Sequence, residues 1–136
     1  MSLRITLRVK TPPGFRVDAS ALLPVPLATM TTAEIERIVL PAGNDRCIVG
    51  DVFEVSRSDT PAASDAPHAG ATMVIENAAP WLDRIGARMT DGRLVVHGST
   101  GDYSGFQMAG GVLRIDGDTG HFTACEMRSG RLTVSG

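Results

Sequence analysis

The last third of the chain repeats with a period of 19 residues. Met89, Met108 and Met127 stand 19 apart, as do Gly92, Gly111 and Gly130, and Leu94, Leu113 and Leu132. Gly98, Gly117 and Gly136 keep the same step, Gly101 is followed by Gly120, and Gly86 by Gly105, with Ala124 next in line. A fixed period near 20 restricts the fold strongly. Each repeat is one coil that hides its apolar side only by stacking on its neighbours. The expected fold is mainly β: a short solenoid of 19-residue coils, preceded by a small α/β segment.

Each coil carries one strand. Leu94-Val95-Val96-His97, Leu113-Arg114-Ile115-Asp116 and Leu132-Thr133-Val134-Ser135 share one pattern. Side chains alternate across a strand, so the leucine and the β-branched residue point inward and the other two outward. The Met column adds a flexible apolar filler. Tyr103 and Phe122 share a further column and are placed to stack between coils. The corners read GxxGxxxG, from Gly98 through Gly101 to Gly105, and glycine turns there without steric penalty.

The period excludes two other solenoids. Hexapeptide coils need apolar residues every six positions, and calcium-binding nonapeptide repeats would give 18 rather than 19. Asp102, Asp116 and Asp118 therefore read as turn and surface residues, not as calcium ligands.

Upstream, Leu3, Ile5, Leu7 and Val9 alternate with Arg4, Thr6 and Arg8, the mark of a half-buried strand. Phe15 to Ala19 suggests a second short strand, and Pro24 and Pro26 an extended path. Thr31 to Ile38 reads as a helix capped by Thr31, with Glu34 reaching back to the cap amide. Cys47 to Val55 is strand-like, with a turn or bulge at Gly50-Asp51 after the break at Pro41 to Asn44. The Ser-, Ala- and Pro-rich stretch then separates two regions. The expected organisation is an N-terminal α/β segment over 1–56, a linker over 57–71 and coils over 72–136. Met73 to Asn77 opens a degenerate first coil, Trp81 and Leu82 cap the stack, and later coils begin near Ile85, Ser104 and Thr123.

Composition removes several function classes. Formal net charge is −2 and the charges are mixed, with no basic run to mark a nucleic-acid face. Apolar stretches are too short to cross a bilayer, and Met1 to Lys10 lacks the apolar core of a signal peptide, so a cytoplasmic location without membrane contact is expected. Cys47 and Cys125 have no CxxC partner and read as packing residues.

The columns, together with the opening strand Leu3–Val9, Arg16-Val-Asp-Ala-Ser20, Thr32-Ala-Glu-Ile35 and Val49 to Val55, resemble the C subunit of formylmethanofuran dehydrogenase and that of the related formyltransferase/hydrolase complex. Ile85-Gly-Ala-Arg-Met89-Thr-Asp-Gly92 with Val95-Val-His-Gly98 is the most similar stretch. The coils also resemble the C-terminal domain of the glutamate synthase large subunit, a right-handed β-helix. The resemblance implies a non-catalytic subunit without a cofactor of its own, the formyl chemistry residing in partner subunits. Members of that family carry several more coils, so this chain is expected to be a short form, either a shortened paralogue or a fragment. The alternative expectation is a stand-alone solenoid that dimerises through its open coil end.

Candidate chemistry is sparse. His97, Asp116 and Ser135 share an outward column and supply the residue types of a hydrolytic triad, but a ladder of parallel side chains offers no nucleophile elbow or oxyanion hole. Arg88, Gln107 and Glu126 form another column, and Arg93 and Arg131 flank Val112 in a third. Arg88, Arg93 and Arg131 are the candidate contacts for a partner or an anion such as a polyglutamate tail; the plainer reading is a solvated face. His68 and His121 have no convergent metal partners, and no phosphate, dinucleotide or zinc motif is present.

Overall fold

The computed structural model describes residues 2–43, 45–60 and 71–135. Asn44, His68 and Gly136, each named above, lie outside them. The main body is a six-stranded mixed sheet in the order β10-β9-β8-β6-β1-β5. Its members are β1 (Ser2–Val9), β5 (Phe53–Thr60), β6 (Ala71–Ala78), β8 (Arg93–Gly98), β9 (Val112–Ile115) and β10 (Arg131–Val134). Only β1 and β5 pair antiparallel; every other neighbour is parallel.

Register follows the repeat. Leu94 pairs with Leu113 and Leu113 with Leu132, while Val96 pairs with Ile115 and Ile115 with Val134. Leu94, Val96, Leu113 and Ile115 are fully buried, and each such side chain stabilises the fold by about 1.5–3 kcal/mol. One irregularity marks the entry to the repeat. Met73 pairs with Leu94 but Ala78 with Gly98, so a bulge absorbs one of the two extra residues inside β6. By Leu82, whose carbonyl accepts from Gly101 N at 2.7 Å, the 19-residue step is regained.

The N-terminal stretch follows the same path one layer below. β1 runs parallel to β6, and β2 (Val17–Asp18) parallel to β7 (Leu82–Asp83). Leu82 is fully buried there and Trp81 packs against Phe53, with ring centroids 6.3 Å apart. These two residues thus join the N-terminal layer to the repeat, where the sequence suggests a terminal cap. The reason is tertiary: Val17 N donates to Trp81 O, a contact between distant segments.

Four local expectations change. Pro24 and Pro26 do not extend the chain but open α1 (Pro24–Ala28), because first-turn residues of a helix have no intrahelical use for their N–H. The helix α2 spans Thr32–Glu36 and ends short of Ile38; its capping box is present, with Glu34 N donating to Thr31 Oγ1 and Thr31 N to Glu34 Oε1. The strand expected over Cys47 to Val55 is divided. β3 (Val39–Ala42) and β4 (Asp45–Ile48) form a hairpin, then one helical turn, α3 (Val49–Val52), leads into β5, its entry held by Ile48 N donating to Asp51 Oδ2. β5 continues through Thr60, into the stretch expected to be linker; pairing with β1 supplies a ladder that its polar composition does not advertise.

Among the described residues a single hydrophobic cluster runs from Ile5 and Leu7 through Met73 and Ile75 to Leu113 and Ile115. Leu22, Leu27, Ile35 and Leu40 of the N-terminal region close it from the side.

Candidate functional site

The corners of the repeat decide which side chains reach the surface. Arg84, Tyr103 and Phe122 have φ near +60°, as do Arg88, Gln107 and Glu126 two columns on. Between them lie Gly86, Gly105 and Ala124, also at positive φ. Alternating the sign of φ turns successive peptide planes over, so their N–H groups point to the neighbouring segments in turn. Arg84 N donates forward to Asp102 O, Gly105 N back to Ile85 O, and Arg88 N forward to Phe106 O, all at 2.8 Å. Every L-residue held left-handed costs about 1–2 kcal/mol, and the ladder of buried backbone bonds offsets it.

The repeat glycines serve two different needs. Gly86, Gly92, Gly98, Gly105, Gly111 and Gly130 have positive φ. Gly101, Gly117 and Gly120 do not, so their role is not the turning conformation expected of them. At Gly101 a Cβ would come within 2.5 Å of Pro80 O, and at Gly117 and Gly120 it would collide with the segment before. Close approach of backbones excludes a side chain there. Met89 and Met108 are buried, while Met127 and Leu132 are partly buried and pack on the same core.

One corner carries the best-built polar cluster. Arg16 Nε donates to Asp83 Oδ2 at 3.0 Å, and its Nη2 lies 2.6 Å from Asp83 Oδ1 and 3.3 Å from Asp102 Oδ2. The hydrogen bond to Asp83 raises the already high Arg16 pKa further. Asp83 Oδ1 accepts from Asp102 N and Asp102 Oδ1 from His121 N, both at 2.8 Å. The carboxylates thus tie each segment to the next, and Arg16 ties the N-terminal layer to two of them. A cleft of about 330 Å³ opens beside this cluster, lined by Arg16, Ser99, Thr100, Asp102, Thr119 and His121 among others. Beneath it, the buried hydroxyls of Thr100 and Ser104 bond to each other at 2.8 Å. Sequence reasoning did not find this cluster. Asp83 and Asp102 stand in one column, but nothing local predicts that Arg16 reaches them.

The outward column of β8, β9 and β10 is brought together as the repeat implies, with the wrong connectivity for catalysis. His97 Nδ1 lies 2.8 Å from Asp116 Oδ2, and Ser135 Oγ donates to Asp116 Oδ1 at 3.3 Å. Asp116 is therefore the hub, and the hydroxyl is bonded to the carboxylate rather than to the imidazole that would activate it. Arg114 Nε also donates to Asp116, at 3.0 Å, and this bond is the first cause of its pKa lying below the ordinary carboxylate value. Among the described residues no group of His, Cys, Asp and Glu converges to hold a metal. Burial pushes the Cys47 thiol pKa up, away from thiolate reactivity.

The three candidate arginines divide. Arg88 bonds to Gln107 Oε1 at 3.2 Å along its own column. Arg93 and Arg131 lie on the outward face of the sheet, both beside Val112. Aromatic contacts fill a separate column: Arg84 lies over Tyr103 at 5.0 Å, and Tyr103 stacks on Phe122 at 5.1 Å, leaving Phe122 61% exposed. No helix among the described residues is long and apolar enough to cross a membrane.

No family profile matches the chain. It is 28% identical over 101 residues to the C subunit of the tungsten-containing formylmethanofuran dehydrogenase 2 of Methanococcus maripaludis, covering 74% of this chain and 34% of that protein. It is 31% identical over 96 residues to the C subunit of the formyltransferase/hydrolase complex Fhc of Methylorubrum extorquens, covering 71% and 32%. The corresponding tungsten-enzyme protein of Methanothermobacter marburgensis is 33% identical over 101 residues, covering 74% and 36%. The chain thus spans about a third of the length of these relatives. In structure it is similar to a chain of the formyltransferase/hydrolase complex FhcABCD from Methylorubrum extorquens, solved with methylofuran. The TM-score is 0.65 at 25% identity, over 95% of this chain and 55% of that one. The chain is a relative of the C subunits of formylmethanofuran dehydrogenase and of the formyltransferase/hydrolase complex.

Proposed function

We propose that the chain serves as a non-catalytic structural subunit of a formylmethanofuran dehydrogenase-like or formyltransferase/hydrolase complex in cytoplasmic one-carbon metabolism. The formyl chemistry would reside in its partners, with no cofactor held by this chain. The observation that carries this reading is the shared fold with a chain of FhcABCD over 95% of the protein. The His97–Asp116–Ser135 connectivity supports the non-catalytic part, since among the described residues the Ser135 hydroxyl bonds to Asp116 rather than to an imidazole. On this reading the stacked 19-residue segments wind as a short right-handed β-helix, the hand that parallel crossovers adopt in nearly all proteins. The Gly, Met and Leu columns hold the coils together, and their outer faces meet the partners.

Co-expression with the formyltransferase and hydrolase polypeptides of its own source tests the assignment. The chain is expected to co-purify with them in fixed stoichiometry, and His97→Ala should leave turnover of that complex unchanged. A chain that elutes alone beside an assembled, active complex would refute the subunit role. A His97→Ala complex that assembles but loses turnover would refute the non-catalytic part.

A second reading rests on the exposed Phe122 and Val134 at the last segment and on the edge of β10, a ready template for pairing. It makes the chain a self-associating module, and light scattering that finds only monomer at micromolar concentration excludes it.

A further inference from the structure

The outward face of the six-stranded sheet carries a row of arginines that no single stretch of sequence discloses. Alternation places Arg4 of β1, Arg93 of β8 and Arg131 of β10 on this side, all three exposed. The register puts them in line. Ser58 pairs with Arg4, Arg4 with Thr72, Thr72 with Arg93, Arg93 with Val112, and Val112 with Arg131. Strands lie about 4.8 Å apart, so an arginine recurs on every second strand at intervals of about 10 Å. The row contains no carboxylate, and among the described residues none of its arginines makes an ion pair.

Four residues further along the strands the character reverses. Arg8 lies between Glu54 and Glu76, and Asp116 gathers His97 and Arg114. Between the two rows stand Ser56, Thr6, Val74, Val95 and Thr133, which carry no charge, and Arg114, which is held by Asp116. The face is therefore polarised: among the described residues the arginine row has no carboxylate beside it, while the charges at the other end alternate with carboxylates.

We propose that the Arg4–Arg93–Arg131 row is a docking surface for an acidic, extended segment of a partner protein that crosses the strands. Guanidinium forks without intramolecular partners are suited to carboxylates, which they bind bidentately. A polyproline II segment rises about 3.1 Å per residue with three residues per turn, bringing every third side chain to one side about 9 Å apart. Carboxylates at that spacing meet successive arginines, with the hydroxyl of Thr72 between Arg4 and Arg93 and that of Ser58 beyond Arg4 at the β5 edge. Nucleic acid suits the row less well, because no aromatic side chain stands in it to stack a base. The inference goes beyond the subunit assignment and holds whichever complex the chain joins.

A fluorescein-labelled peptide of four Glu-Pro-Pro repeats, titrated into the full chain at low ionic strength and followed by anisotropy, tests the proposal. Binding is expected, weakening with added salt and by about tenfold in the Arg4→Gln/Arg93→Gln/Arg131→Gln variant, whose fold is checked by circular dichroism. Arg8→Gln, elsewhere on the same face, should leave binding within about twofold. A peptide of the same composition with its glutamates in one block should bind more weakly. The proposal falls if the triple variant binds like the parent, or if Arg8→Gln loses as much. It falls equally if the blocked peptide matches the spaced one, or if a single-stranded oligonucleotide of equal charge binds more tightly than both.

Discussion

Gly101→Ala and Gly105→Ala place the same methyl group in one corner, four residues apart, and should destabilise the protein by different amounts for different reasons. Gly105 sits at φ +71°, where an L-residue is strained by about 1–2 kcal/mol, partly offset by about 0.4–1 kcal/mol through a less flexible unfolded chain. Its new Cβ would press on Leu132 Cδ1, the far end of a partly buried side chain that can rotate away. The same column tolerates Ala124 at φ +58°. A net loss of about 0.5–1.5 kcal/mol follows. Gly101 needs no special φ, but its Cβ would meet Pro80 O at 2.5 Å and the Asp83 carboxylate beside it. Backbone cannot rotate away, so the segments must separate. Overpacking of about 1–3 kcal/mol then adds to a weakened Gly101 N–Leu82 O bond worth about 0.5–1.5 kcal/mol, about 3 kcal/mol in total. Urea unfolding followed by circular dichroism, with the slope m checked for constancy, measures both. If Gly105→Ala proves the more damaging of the two, the distinction between turning and close-approach glycines is wrong.

Ala124→Gly should stabilise the chain by about 0.5–1 kcal/mol, since it relieves left-handed strain in the one column position without glycine, and a lowered midpoint in urea would contradict this. Leu113→Ala, in the buried column between Leu94 and Leu132, should cost about 3–5 kcal/mol by the same measurement; a loss under about 1 kcal/mol would mean the stack does not bury this column. Asp116 has its pKa depressed, first by the Arg114 hydrogen bond, so its contribution is present above the ordinary carboxylate value of 3.8 and disappears as pH falls below it. Stability curves of the parent and Asp116→Asn should therefore differ at neutral pH and converge in acid, and a gap that widened on acidification would reverse the sign.

The period of 19 was legible because like residues recur at like places. Leu94, Leu113 and Leu132 needed only to be counted to be aligned, and their register in the sheet is the same count. The capping box of α2 was equally legible, since Thr31 and Glu34 contact each other within one turn. The family resemblance also came from residues alone, through the spaced columns and the alternating first strand. All of these are local or periodic signals, which a chain carries along its length.

Tertiary structure alone decided where the N-terminal layer sits and what its arginines do. β1 lies between β5 and β6, so Arg4 and Arg93, 89 positions apart, fall in one row. Arg16 reaches Asp83 across 67 residues because β2 pairs with β7. A contact between non-repeating segments leaves no period to count, and the Ser-rich end of β5 shows no strand pattern until β1 supplies its partner. Equally, the glycine at 101 looks like the glycine at 105 in sequence. Only the neighbouring backbone distinguishes a residue that must turn from one that must leave room.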